Sequence, residues 1–208
     1  MEQDYYSYIR KMFHRLSYVY DLTDIFIMNV RTEVVDFTDA KEGAKILDVA
    51  TGTGKQAFAF GKRGYEVVGI DLSEHMLKVA ARNNEYDNIG FILADAARLP
   101  FMDQHFDVGC ISFALHEMPL SIRKEVLQEI VRVTRIGSTI MIIDYSSSSE
   151  KRVGGHFVRY VARLYESKYY AEFIHSDLNS LLKEYGIEAI AELSAMYGVV
   201  RIIKCIRR

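Results

Sequence analysis

Residues 46–57 read Ile-Leu-Asp-Val-Ala-Thr-Gly-Thr-Gly-Lys-Gln-Ala, an apolar run that breaks at Gly52-x-Gly54-x-x-Ala57 and resumes with helical periodicity. A strand that turns on glycines into a helix constrains the fold strongly, because it opens a βαβ unit and lays bare backbone where a ligand can approach. The pattern that follows agrees. Short apolar runs at Lys45–Ala50, Glu66–Asp71, Gly90–Asp95, Phe106–Phe113 and Ser138–Tyr145 read as strands. Amphipathic stretches at Lys55–Arg63, Ser73–Asn83 and Ser121–Val133 read as helices. Continuous apolar strands alternating with helices predict a parallel sheet covered on both faces. At the end of the chain, a helix over Ser176–Tyr185 precedes strands at Glu188–Leu193 and Val199–Ile206, joined by Met196-Tyr197-Gly198. That connection is too short for a crossover, so these two strands pair antiparallel. The expected fold is α/β: a doubly wound, seven-stranded sheet, mostly parallel, with a C-terminal antiparallel hairpin.

At 208 residues, one elaborated domain is expected rather than two. The elaborations lie at 1–43, a helical cap with aromatic stripes (Tyr5, Tyr8, Met12; Phe13, Leu16, Tyr20), and at 150–175, an inserted helical lid. In the insert, Phe157, Tyr160, Val161, Leu164 and Tyr165 share one helical face, and Gly154-Gly155 before it reads as a hinge. Twenty-six basic against 28 acidic residues give a net charge of −2, which argues against nucleic acid as a partner. The longest uncharged run, Val108–His116, is nine residues, far short of the roughly 18 of a spanning helix. The polar, acidic start does not resemble a secretory signal, so a cytoplasmic protein is expected. Cys110 and Cys205 fall in apolar strands and the histidines are scattered, so neither a disulfide nor a metal site is expected.

Asp71 ends the second strand 19 residues beyond Gly52, where an acid accepts both hydroxyls of a ribose. Asp48, four residues before Gly52, stands where a dinucleotide would place its pyrophosphate, and a carboxylate there disfavours phosphate. S-adenosylmethionine carries no phosphate and has a sulfonium and an ammonium that suit an acid. Gly54-Lys55 is no phosphate-binding loop either, since Val49 and Gln56 stand where that motif needs glycine and Ser or Thr. Asp95, ending the third strand, can accept the adenine amino group, with the Ala96 N–H beside it. Ala50 and Thr51 in the loop and Phe113 at the end of the fourth strand are further candidate cofactor-binding residues.

These stretches, Asp48-Val-Ala-Thr-Gly-Thr-Gly54, Gly69-Ile-Asp71-Leu-Ser73-Glu-His-Met76-Leu77 and Ala94-Asp95-Ala96-Ala-Arg-Leu99-Pro100-Phe101 followed by Phe106-Asp107, resemble class I S-adenosylmethionine-dependent methyltransferases. They are most similar to the ubiquinone/menaquinone biosynthesis C-methyltransferase branch and related small-molecule enzymes. The resemblance covers residues 44–145 and implies a Rossmann-like fold. It assigns Asp48, Gly52 and Gly54 to the methionine part, Asp71 to the ribose, Leu72 and Met76 to the adenine face, and Asp95 with Ala96 to its edge. Tyr20-Asp21 resembles a Tyr-Asp pair that would bring the Tyr20 hydroxyl to the cofactor's carboxylate. One departure bears on substrate: the quinone enzymes carry Phe-Gly-x-Arg-Asn where this chain has Phe113-Ala114-Leu115-His116-Glu117.

Methyl transfer needs alignment and a dry site, and a base only if the nucleophile must lose a proton. His116 is the candidate base, with Glu117 to orient it. The expected acceptor is a small, lipophilic molecule, and the basic, aromatic insert suggests transient membrane-surface contact. Two other readings stay open here: a nicotinamide-dependent oxidoreductase on the same turn, and a protein that binds S-adenosylmethionine without turnover.

Overall fold

The structure is a computed structural model that describes residues 5–7, 9, 29–146 and 169–208. Seven strands form one sheet in the order β3-β2-β1-β4-β5-β7-β6. They are β1 (Lys45–Val49), β2 (Glu66–Asp71), β3 (Ile89–Leu93), β4 (Phe106–Ser112), β5 (Thr134–Tyr145), β6 (Ile187–Ala195) and β7 (Val200–Arg207). The first five are parallel. β7 runs antiparallel to both β5 and β6 and lies between them. The helices are α1 (29–38), α2 (Lys55–Gly61), α3 (Glu74–Asn83), α4 (Leu120–Val133), α5 (Tyr170–His175) and α6 (Leu178–Glu184).

Side chains alternate across each strand, so the sheet has two cores. Leu47, Val49, Ile111, Ile140 and Ile142 pack with α4, α5 and α6 on one face. Ile46, Val108, Cys110, Met141 and Ile143 pack with α1 and α2 on the other. β5 begins earlier than its apolar density suggests. Phe106 pairs with Thr134 but Val108 with Thr139, so Arg135–Ser138 bulge out of a strand whose continuous apolar stretch starts only at Ile140. Cys110 and Cys205 are free and buried in β4 and β7.

Strand order reverses between β1 and β4, and a doubly wound sheet opens its ligand crevice at the carboxyl ends of the strands beside such a switch. The loop after β3 is pinned there by α4. Arg132 donates to the carbonyls of Leu99 (2.9 Å) and Phe101 (2.7 Å), while Glu129 accepts from the Leu99 N–H (2.7 Å). Of the elaborations, Tyr5 and Ile9 are buried against the α4 face and α5 is helical. Tyr8, Met12, Phe13, Leu16, Tyr20, the Gly154-Gly155 hinge and the apolar face from Phe157 to Tyr165 lie outside the described residues. Among those described, no helix is long and apolar enough to cross a membrane.

Candidate active site

The turn after β1 is built by glycines in two different ways. Gly54 has φ +82°, and a Cβ there would sit about 3.0 Å from Phe91 and Ala80. Backbone and packing both require glycine at that position. Gly52 also has φ +56°, but a Cβ would meet nothing within 4 Å. Its open side is room for a ligand against bare backbone. Ala50 adopts φ +55° with a side chain in place, a conformation that costs an L-residue about 1–2 kcal/mol.

Asp71 joins this turn to β2. Its Oδ2 accepts the Gly52 N–H at 2.8 Å and its Oδ1 the Ser73 N–H at 2.8 Å. Burial raises its pKa, and these backbone bonds oppose the shift. Each carboxylate oxygen keeps a second lone pair, so a carboxylate aligned by two amides can still accept from two hydroxyls. Ser73 then caps α3, its Oγ accepting the Met76 N–H at 3.3 Å. Met76 is buried, while Leu72 is half-buried. Asp95 forms a similar turn, with Oδ1 accepting the Ala97 N–H at 2.9 Å, and Ala96 is half-buried beside it. The Tyr6 hydroxyl donates to Asp95, and burial together with that carboxylate raises the phenol's pKa.

Asp48 differs from its expected role as a bare charge beside the turn. It is 1% exposed, and Oδ2 accepts the Thr51 hydroxyl at 2.6 Å. Burial raises its pKa to about 7, against the opposing Thr51 bond. Burial thus disfavours its charged form, which weakens it as the charge that rejects phosphate. Its side chain holds the loop together.

His116 departs further from expectation. It lies on a 3-10 turn, Leu115–Glu117, that follows β4, and is buried. Nδ1 is 2.7 Å from Asp144 Oδ1 and Nε2 is 3.2 Å from Glu117 Oε1. Burial alone would lower the imidazole's pKa, but Asp144 and Glu117 overcome it and raise it to about 10. His116 is therefore an imidazolium clamped between two carboxylates, with no free nitrogen to act as a base near neutral pH.

Asp144, in β5, is the residue that sequence reasoning missed. Its only signal was a charge inside an otherwise apolar strand. Arg123, fully buried on α4, was also missed. It donates to the Met118 carbonyl at 3.0 Å, pairs with Glu172 of α5 at 3.2 Å and stacks on Phe173 at 5.3 Å. Tyr145 packs edge-on against His116 at 4.8 Å and against Phe113 at 5.8 Å. Phe113 itself takes φ +52°, a strained backbone for a bulky residue. The remaining candidate, Tyr20, lies outside the described residues.

Comparison with known proteins gives these features a context. A demethylmenaquinone methyltransferase of Paenarthrobacter aurescens is 40% identical over 116 residues, which are 56% of this chain and 44% of that protein. A ubiquinone/menaquinone biosynthesis C-methyltransferase UbiE of Pseudomonas putida is 28% identical over 96% of this chain and 88% of its own length. Several of the curated relatives are longer, and the chain spans about half of them, between 44% and 62%. In fold, a SAM-dependent methyltransferase from Aquifex aeolicus superposes with a TM-score of 0.68 at 22% identity, over 86% of this chain and 89% of that one. The family profile of the ubiE/COQ5 methyltransferases matches residues 1–167, from the first described aromatics through the glycine turn and the His116 cluster. The chain belongs to the ubiE/COQ5 methyltransferase family.

Proposed function

We propose that the chain transfers a methyl group from S-adenosylmethionine to a small, apolar acceptor of the quinone-precursor kind for which its relatives are named. The observation that carries this reading is Asp71. Two backbone amides fix its carboxylate beside the open side of Gly52, an arrangement suited to the two hydroxyls of a ribose. Gly52 and Gly54 let the methionine part lie on backbone, with Asp48 and Thr51 bracing the loop from behind and Ala50 preceding it. Leu72 and Met76 flank the adenine, and Asp95 with Ala96 meets its edge. When bound, S-adenosylmethionine supplies a carbon already activated for displacement by its sulfonium.

The protein's work is then alignment and exclusion of water. Phe113, Tyr145, Tyr170 and Phe173 supply apolar walls around His116. The imidazolium holds its protons on Asp144 and Glu117 and keeps the turn after β4 in place. A ribose-binding acid would serve a nicotinamide cofactor as well; membership of a methyltransferase family is what favours S-adenosylmethionine.

Titration calorimetry with S-adenosylmethionine, S-adenosylhomocysteine and NAD tests the cofactor. The sulfur nucleotides are expected to bind and NAD is not; the reverse result overturns the proposal. Transfer of labelled methyl to a demethylated naphthoquinol tests the acceptor class.

A further inference from the structure

We infer that Glu117 is the residue that meets the methyl acceptor, and that it selects acceptors presenting an O–H or N–H donor. This deepens the methyltransferase reading above and rests on it. Glu117 is 4% exposed, yet only one of its oxygens is engaged. Oε1 faces His116 Nε2 at 3.2 Å, and Oε2 is buried with no hydrogen-bond partner among the described residues. A buried acceptor without a donor costs about 1–3 kcal/mol, so such atoms are rare in native proteins and ask for an explanation. His116 pairs with the other oxygen and leaves Oε2 buried and unpaired.

The surroundings define what fits. Tyr5 is buried close enough that Glu117 and Asp95 both act on its phenol, after the larger effect of burial and of Tyr6. Its ring packs edge-on with Tyr6 at 5.3 Å and with Tyr169 at 6.0 Å. The unpaired oxygen therefore belongs to an aromatic-walled region that also holds the Asp95 carboxyl. An anionic acceptor is repelled there. An aromatic body bearing a hydroxyl or amino group satisfies both the ring surfaces and Oε2.

The test uses protein saturated with S-adenosylhomocysteine and three probes of one shape: 1-naphthol, 1-naphthylamine and 1-methoxynaphthalene. Calorimetry is expected to show at least one donor-bearing probe binding about tenfold tighter than the methoxy compound, and the tighter of the two identifies O–H or N–H as the group read. Glu117→Ala is expected to bring that ratio to within about twofold of unity, and Glu117→Gln, which keeps the shape and a neutral acceptor, to an intermediate value. Unchanged affinity for S-adenosylhomocysteine in either variant shows that the fold is intact. A ratio near unity in the parent protein, or one unaltered by both substitutions, overturns the inference and leaves Oε2 to a trapped water. If S-adenosylhomocysteine fails to bind the parent protein, the methyltransferase reading falls, while the naphthol ratio measured without it still decides the role of Glu117.

Discussion

The two halves of the site handle buried charge in opposite ways. On the β1–β2–β3 side, backbone amides hold the acids: Asp71 accepts from Ser73 in the turn that follows it and from Gly52 in the turn after β1, and Asp95 accepts from Ala97. On the β4–β5 side, His116, Glu117 and Asp144 are held by one another, across 28 residues of sequence between His116 and Asp144. The acids also divide by face. Asp48 shares its side of the sheet with Ile46 and α2, and Asp144 shares its side with Ile140, Ile142 and α4. A carboxylate held by amides keeps lone pairs for a ligand, whereas one held by a cation is committed to the fold. Under the proposed function, the first half would hold the cofactor and the second would fix the wall beside the acceptor.

That contrast breaks most visibly at Asp144. Asp144→Ala leaves the imidazolium buried without its main partner, and loss of one member of a buried pair costs about 3–5 kcal/mol. Urea denaturation is expected to show that loss; a change under 1 kcal/mol would mean the cluster is not a buried ion system. Next comes Asp71→Ala, expected to weaken S-adenosylhomocysteine about 100-fold, or 2.7 kcal/mol, from lost charge-assisted bonds to two hydroxyls. His116→Gln is expected to alter that affinity less than threefold, and equal losses in both variants would erase the distinction between the halves.

The halves also separate by pH. His116 is raised from 6.5 to about 10, so its stabilisation is complete below pH 6.5 and is lost as pH climbs to about 10. Asp48 is raised from 3.8 to about 7, so its contribution is complete below pH 3.8 and fades as pH rises to about 7. Melting temperatures are expected to lose the alkaline slope in His116→Gln and the acidic-to-neutral slope in Asp48→Asn. Slopes that persist in both variants would assign the pH dependence elsewhere. The smallest effect is Ala50→Gly, which relieves the φ of +55° and is expected to add about 0.5–1 kcal/mol of stability, read as a rise in melting temperature.

Legibility followed the same division. β2 lies where its apolar pattern puts it, and β1 and β4 end within a residue of expectation, because an unbroken apolar run bounded by glycine or charge has few other readings. β3 is shifted one or two residues towards its start, to Ile89–Leu93, because Ala94 and Asp95 already belong to the turn. The start of β5 was hidden by its bulge. The places of Asp71 at the end of β2 and of Asp95 in the turn after β3 were readable because an acid that closes an apolar run marks a strand end. The partnership of His116 with Asp144 was not, since the register of β4 against β5 decides it and no local pattern carries that register. The raised pKa of Asp48 was equally invisible, being a product of burial.

The seating of β7 between β5 and β6 has its own consequence. Among the described residues β6 pairs with β7 alone, although β6 comes first along the chain. A newly made β6 thus has no neighbour to receive it, and must wait as a loose ribbon until β7 is formed. Closure of this flank therefore depends on β7, and a lesion that dislodges β7 is expected to release β6 with it.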